Sequence, residues 1–108
     1  MPGHDFERIL MEAIDEGLLS LGESSKVAVY FHLQKDFNVR REEIPGNVEA
    51  FADAMEKIFG QGASFLEILI MQKLREKVRG ASKPRDSDDL TFTEYVTFTR
   101  KDLMEKRV

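Results

Sequence analysis

His32 and Asp36 stand one helical turn apart, the spacing at which a carboxylate can orient an imidazole as a general base. A base needs a nucleophile or a substrate pocket beside it, and the surrounding "YFHLQKDF" offers neither. The pair reads as an ion pair on a helix surface. The only other histidine, His4, lies at the start of the chain, so no two-histidine metal signature exists. The chain contains no cysteine, which removes thiolate nucleophiles, disulfides and cysteine-ligated metal centres. Seryl and threonyl hydroxyls have no base beside them in sequence. The expectation is a protein without catalytic, cofactor-binding or metal-binding residues, and not an enzyme.

Gly60-Gln61-Gly62, followed by Ala63 and Ser64, invites comparison with a phosphate-cradling loop. A dinucleotide loop requires a preceding strand, a small residue at the third position and an acid on the next strand. Here a helical pattern precedes the glycines, the third position is Phe65, and no P-loop lysine follows. The stretch therefore reads as a joint between helices. Gly60 suits a left-handed cap, and Ser64 with Glu67 has the spacing of a capping box. If Glu67 is not capping, it is an acid in apolar surroundings with a raised pKa.

The elements around these residues are helical by periodicity. Residues 5–21 place Phe6, Ile9, Leu10, Ala13, Ile14 and Gly17 on one face, opposite Arg8, Glu12, Asp15 and Glu16. Gly17 in the middle of that face costs helix propensity of about 1 kcal/mol, which points to close approach by another helix. Gly22 suits a C-terminal stop. The next helix starts from Ser24 or Ser25 as N-cap, with Val27, Val29, Tyr30, Phe31, Leu33 and Phe37 in a broad apolar arc. Gln34 falls inside that arc, and Ala28, His32, Lys35 and Asp36 lie on the other side. Residues 38–46 read as a polar connection closed by Pro45-Gly46, whose Glu42 and Glu43 either join Glu49 in an acidic patch or are simply solvated. Residues 47–59 form the cleanest amphipathic helix, with Val48, Phe51, Ala52, Ala54, Met55, Ile58 and Phe59 facing inward.

Residues 65–79 are apolar almost all round over their first two turns. Such a helix is either central to the bundle or covered by a second copy of the chain. Residues 81–89 have the composition of a linker. Residues 90–108 read as a helix with Phe92, Tyr95, Val96, Thr99 and Leu103 in one stripe and a Thr91/Glu94 capping box. A strand reading, favoured by the threonines, is damaged by Glu94 on its apolar face.

The net charge of −4 is unevenly spread. Residues 1–60 hold 6 Lys/Arg against 12 Asp/Glu, and residues 61–108 hold 10 against 8. Lys73, Arg75, Lys77, Arg79, Lys83 and Arg85 supply the basic half. They suit either a solvated helix end or a footprint for an acidic partner or nucleic acid. No run is apolar and long enough to span a membrane, and the first residues lack the apolar core of a secretory signal. A cytoplasmic location follows as an expectation.

With the segments placed, "AIDEGLLSLGESSKVAVYFHLQKDFNV" and "EIPGNVEAFADAMEKIFGQGASFLEILIMQKL" resemble a family of small archaeal helical domains, the Nitrosopumilus output domains. The resemblance covers residues 9–74 and is most specific in "LGESSKVAVYFHL" and "IFGQGASFLE". It implies a non-catalytic signalling or interaction role and brings no catalytic residues.

The combined expectation is an all-α, compact bundle of four to five amphipathic helices, dimeric, with a four-helix core over residues 1–80, a linker over 81–89 and a C-terminal helix over 90–108. Its contact surface is expected around Phe65, Leu66, Leu69, Ile70 and Phe98. The alternative is a nucleic-acid-binding regulator using Lys73, Arg75, Lys77, Arg79 and Arg85.

Overall fold

The fold is described by a computed structural model over residues 2–78 and 90–106, with side chains over 6–78 and 90–103. Within these residues five α-helices occur, α1 (Pro2–Leu19), α2 (Glu23–Phe37), α3 (Val48–Phe59), α4 (Gly62–Lys77) and α5 (Phe92–Lys106). A 3-10 helix, Arg41–Gly46, joins α2 to α3. No strand occurs among the described residues, so the segment that could be read either way is helical. The expected linker, with Arg79, Lys83 and Arg85, lies outside the described residues.

The first four α-helices close a ring of contacts, α2 on α1, α1 on α4, α4 on α3, and α3 back on α2. α5 lies across α1, α3 and α4. The core is built from inward stripes at helical spacing. α1 contributes Phe6, Leu10, Ala13, Ile14 and Leu18, and α4 contributes Ala63, Leu66, Ile70 and Leu74. α1 and α4 approach closely at Gly17, where the absent side chain makes room for Ile70. The glycine that costs propensity is repaid in contact between two backbones.

Local signals fix several ends. Asn47 caps α3, its side-chain oxygen accepting from the Ala50 amide at 3.4 Å. α5 starts on the reciprocal box expected from its sequence: the Thr91 amide donates to Glu94 at 2.9 Å and the Glu94 amide to Thr91 Oγ1 at 3.1 Å. Its stripe of Phe92, Tyr95, Val96 and Thr99 is buried, with Leu103 packed against the core. Arg100 ties α5 down by donating to the Pro45 carbonyl, and its guanidinium stands 5.2 Å from the Phe6 ring.

Other local readings need correction. α2 starts at Glu23, with Gly22 as its N-cap at φ 108°, so neither Ser24 nor Ser25 caps it. The α2 arc is also narrower than the composition suggests. Val29 and Leu33 are buried, whereas Val27, Phe31 and Gln34 are exposed. Positions 27 and 31 lie nearly opposite 29 on a helix, so α2 is apolar on two faces. The connection after α2 is not wholly polar. Val39, Ile44 and Pro45 are buried in it, and Arg40 and Glu43 bracket the 3-10 turn as a capping box.

Candidate functional site: the exposed α4 face and the α3/α4/α5 groove

α4 begins at Gly62, directly after the Gly60-Gln61 turn. Gly60 adopts φ 59°, ψ −129°, a backbone region open to glycine and closed to side chains, rather than the left-handed helical cap. Because the helix starts this early, Ser64 is already inside it and the expected Ser64/Glu67 capping box does not form. Both side chains instead line a groove between α3, α4 and the start of α5.

The expected contact residues of α4 divide between two faces. Leu66 and Ile70 are 4% and 0% exposed and belong to the chain's own core, against α1. They are unavailable to a partner, a correction that follows from their spacing with Ala63 and Leu74 along one helical stripe. Phe65 is 84% exposed and Ile68 51%, while Leu69 is half-buried between the two faces. Phe98 is half-buried on α5, next to the inward Tyr95 and Thr99. A second exposed apolar set, Leu19, Leu21, Val27 and Phe31, lies at the α1/α2 corner and along outer α2.

The groove has a volume of about 890 Å3 and is broadly open to solvent. Its α4 wall is the stripe Ser64, Glu67, Ile68, Met71, Gln72 and Arg75. Its α3 wall is Glu49, Ala52, Asp53 and Glu56, and α5 closes one side with Phe92, Glu94 and Tyr95. Five carboxylates thus face one guanidinium. Glu94 is engaged in its cap, but Glu49, Asp53, Glu56 and Glu67 have no ion-pair partner among the described residues. Of the acids read either as a patch or as solvated, Glu43 accepts from the Arg40 amide at 3.1 Å and Glu49 lines the groove.

Burial, followed by repulsion from Glu56, pushes the Glu67 carboxyl above the ordinary glutamate range. A carboxyl with a raised folded pKa binds its proton more tightly in the fold. Its ionisation therefore costs stability, absent at acid pH and present once pH has risen through the folded pKa. Glu67→Gln is expected to stabilise the chain at pH 7 by a few tenths of a kcal/mol, a small figure because the group is largely solvated. That gain should vanish well below 4.5, the ordinary glutamate value. Thermal melts of both proteins across this range test it, and a gain independent of pH would contradict the assigned cause.

Of the cations read either as a solvated helix end or as a footprint, the three described are dispersed. Lys77 is held by Glu16 and stands 3.9 Å from Glu12 of α1, which pushes its ammonium pKa upward, chiefly through the Glu16 hydrogen bond. Arg75 lies in the acidic groove, and Lys73 is half-buried. Positions 73 and 77 share a face that excludes 75. Arg79 and Arg85 lie outside the described residues.

His32 and Asp36 make the expected surface pair at 3.0 Å, each about half exposed. The neighbours of that pair are the Phe31 ring, edge-on to His32 at 5.7 Å, and Lys35 over the same ring. No trio of His, Asp or Glu among the described residues could hold a metal ion. None of the described helices is long and apolar enough to cross a membrane.

Asp15 was hidden by its position on a polar face. It accepts from the Tyr30 hydroxyl and from Arg41, with Lys26 at 4.0 Å, and so joins α1, α2 and the 3-10 turn. Burial, and then the hydrogen bond to Asp15, raises the Tyr30 pKa far above 10.0. A phenol held neutral in this way is a structural pin and a poor general base.

Comparison with protein-family models, curated proteins and solved structures found no match.

Proposed function

We infer that the chain is a non-catalytic protein–protein interaction module, a homodimeric adaptor of the archaeal signalling-output kind acting in the cytoplasm. The observation that carries this reading is Phe65, 84% exposed on a helix whose other face already fills the core. An aromatic ring left in water next to Ile68 and Leu69 gains by being covered, and a second copy of the same face is the simplest cover. The resemblance of residues 9–74 to the output-domain family supports the same reading. The nucleic-acid alternative gains no support from the dispersed positions of Lys73, Arg75 and Lys77.

Sedimentation equilibrium over a range of concentrations tests the dimer. The wild-type chain is expected to dimerise. Phe65→Asp is expected to weaken dimerisation by about a hundredfold, the scale of a contact hot spot, with its helical circular dichroism unchanged. A wild-type chain that stays monomeric at high concentration overturns the homodimer.

A further inference from the structure

Resting on the interaction-module reading, we propose that the groove between α3, α4 and α5 docks a cationic amphipathic helix of a partner protein. The groove joins two features that such a helix would match. Its lining includes the apolar residues Ala52, Ile68, Met71, Phe92 and Tyr95. Its walls carry Asp53 and Glu56 on α3 and Glu67 on α4. These acids have no ion-pair partner among the described residues.

The spacing on both walls is helical. Glu49, Asp53 and Glu56 repeat at intervals of four and three along α3, and Glu67, Met71 and Arg75 at intervals of four along α4. α3 and α4 are joined by a tight turn, so these rows form the two sides of a trough. A helix laid in such a trough presents its own apolar stripe to the apolar lining and its flanking lysines or arginines to the acids. The single guanidinium is not at the centre of the acids. Arg75 lies about two turns beyond Glu67 along α4, while Glu56 and Glu67 flank the α3/α4 turn. The groove therefore has a polarity: its acidic end lies by the turn, and positive charge on the partner is favoured there. The negative balance argues against nucleic acid or an acidic peptide in this groove.

The probe is a fluorescent lysine/leucine peptide of about four helical turns, with leucines at three- and four-residue spacing. Its control is a scrambled peptide of identical composition, which keeps the charge and loses the stripe. Fluorescence anisotropy against the full chain is expected to show saturable binding of the patterned peptide, at least about tenfold tighter than the scrambled one, with affinity falling as salt rises. Asp53→Lys combined with Glu56→Lys, both exposed positions outside the core, should weaken binding about tenfold or more. Met71→Asp should do the same through the apolar lining, and unchanged circular dichroism identifies each variant as folded. Equal affinity for patterned and scrambled peptides, unchanged binding by the charge-reversed chain, or no binding at all overturns the proposal. Sedimentation equilibrium on the same samples separates the two readings. A dimer that ignores the peptide leaves the module standing without this groove, and a monomer that binds it overturns only the homodimer.

Discussion

Gly17→Val is expected to destabilise the fold by about 3 kcal/mol or more, a large share of what a domain of this size has to lose. A Cβ at this position would lie 2.6 Å from Ile70 Cγ1, 3.6 Å from Cδ1 and 3.7 Å from the Ile70 Cα. Carbon atoms pack best at about 3.5–4.0 Å, so the first of these must open by roughly 1 Å. Ile70 cannot simply swing aside. It is β-branched on a helix, which restricts χ1, and it is fully buried. Alanine at position 17 recovers about 1 kcal/mol of helix propensity against an overpacking cost of about 1–3 kcal/mol. Gly17→Ala should therefore be milder, from neutral to about 2 kcal/mol destabilising. The decisive comparison adds Ile70→Ala, which alone costs about 2–5 kcal/mol. In the double variant the new methyl enters the space that Ile70 vacates, and the loss should fall short of the sum by at least about 1 kcal/mol. Chemical denaturation of the wild type, Gly17→Ala, Ile70→Ala and the double variant measures this, and simple additivity would mean that the α1/α4 approach is not what requires glycine.

Asp15→Ala should lower stability by about 2–3 kcal/mol, which for a chain of this length corresponds to a melting temperature lower by about 8–20 °C. The Asp15 side chain is 22% exposed and receives the Tyr30 hydroxyl at 2.5 Å along with the Arg41 guanidinium. Removing the carboxylate strands the half-buried phenol, whereas Arg41, 49% exposed, recovers water. Most of the loss is therefore assigned to Tyr30. Tyr30→Phe deletes the donor together with its need for a partner and should cost only about 1 kcal/mol. The alkaline limb separates the two causes. A phenol with a raised folded pKa stabilises the fold below the unfolded value of 10.0, and that contribution is lost as pH rises towards the folded pKa. The wild-type advantage over Tyr30→Phe should therefore shrink above pH 10.0. An Asp15→Ala loss that stays undiminished in the Tyr30→Phe background would shift the weight from Tyr30 to Arg41.

Much of the fold was legible where local and long-range demands agree. α3 has a capping asparagine, one apolar face and a glycine at its end, and its inward residues are those that periodicity assigns. α5 was decided against a strand by Glu94, whose carboxylate binds the Thr91 amide. Legibility failed where a residue type serves two environments. Val27 and Phe31 look like core residues and face solvent, because α2 is apolar on both sides and periodicity cannot say which side the bundle uses. Leu66 and Ile70 were grouped with Phe65 by proximity in sequence, although a helix separates neighbours by about 100°. Ser64 and Glu67 fit a capping pattern that became irrelevant once the Gly60 turn started the helix at Gly62. The groove was present in the sequence as two helical rows, but only the pairing of α3 with α4 places Glu56 near Glu67. Asp15 was read as solvated because a helix wheel cannot see the 3-10 turn that supplies Arg41.

The close approach at Gly17 and Ile70 also has a consequence for synthesis. These positions are 53 residues apart in the chain. At about 5–20 residues per second, the ribosome delivers Ile70 roughly 3–10 s after Gly17. Throughout that interval the face of α1 that ends in Leu18 has only α2 and the 3-10 turn to lean on. A nascent chain stalled before α4 should therefore hold chaperones, and release from them should coincide with emergence of the Leu66–Leu74 stripe.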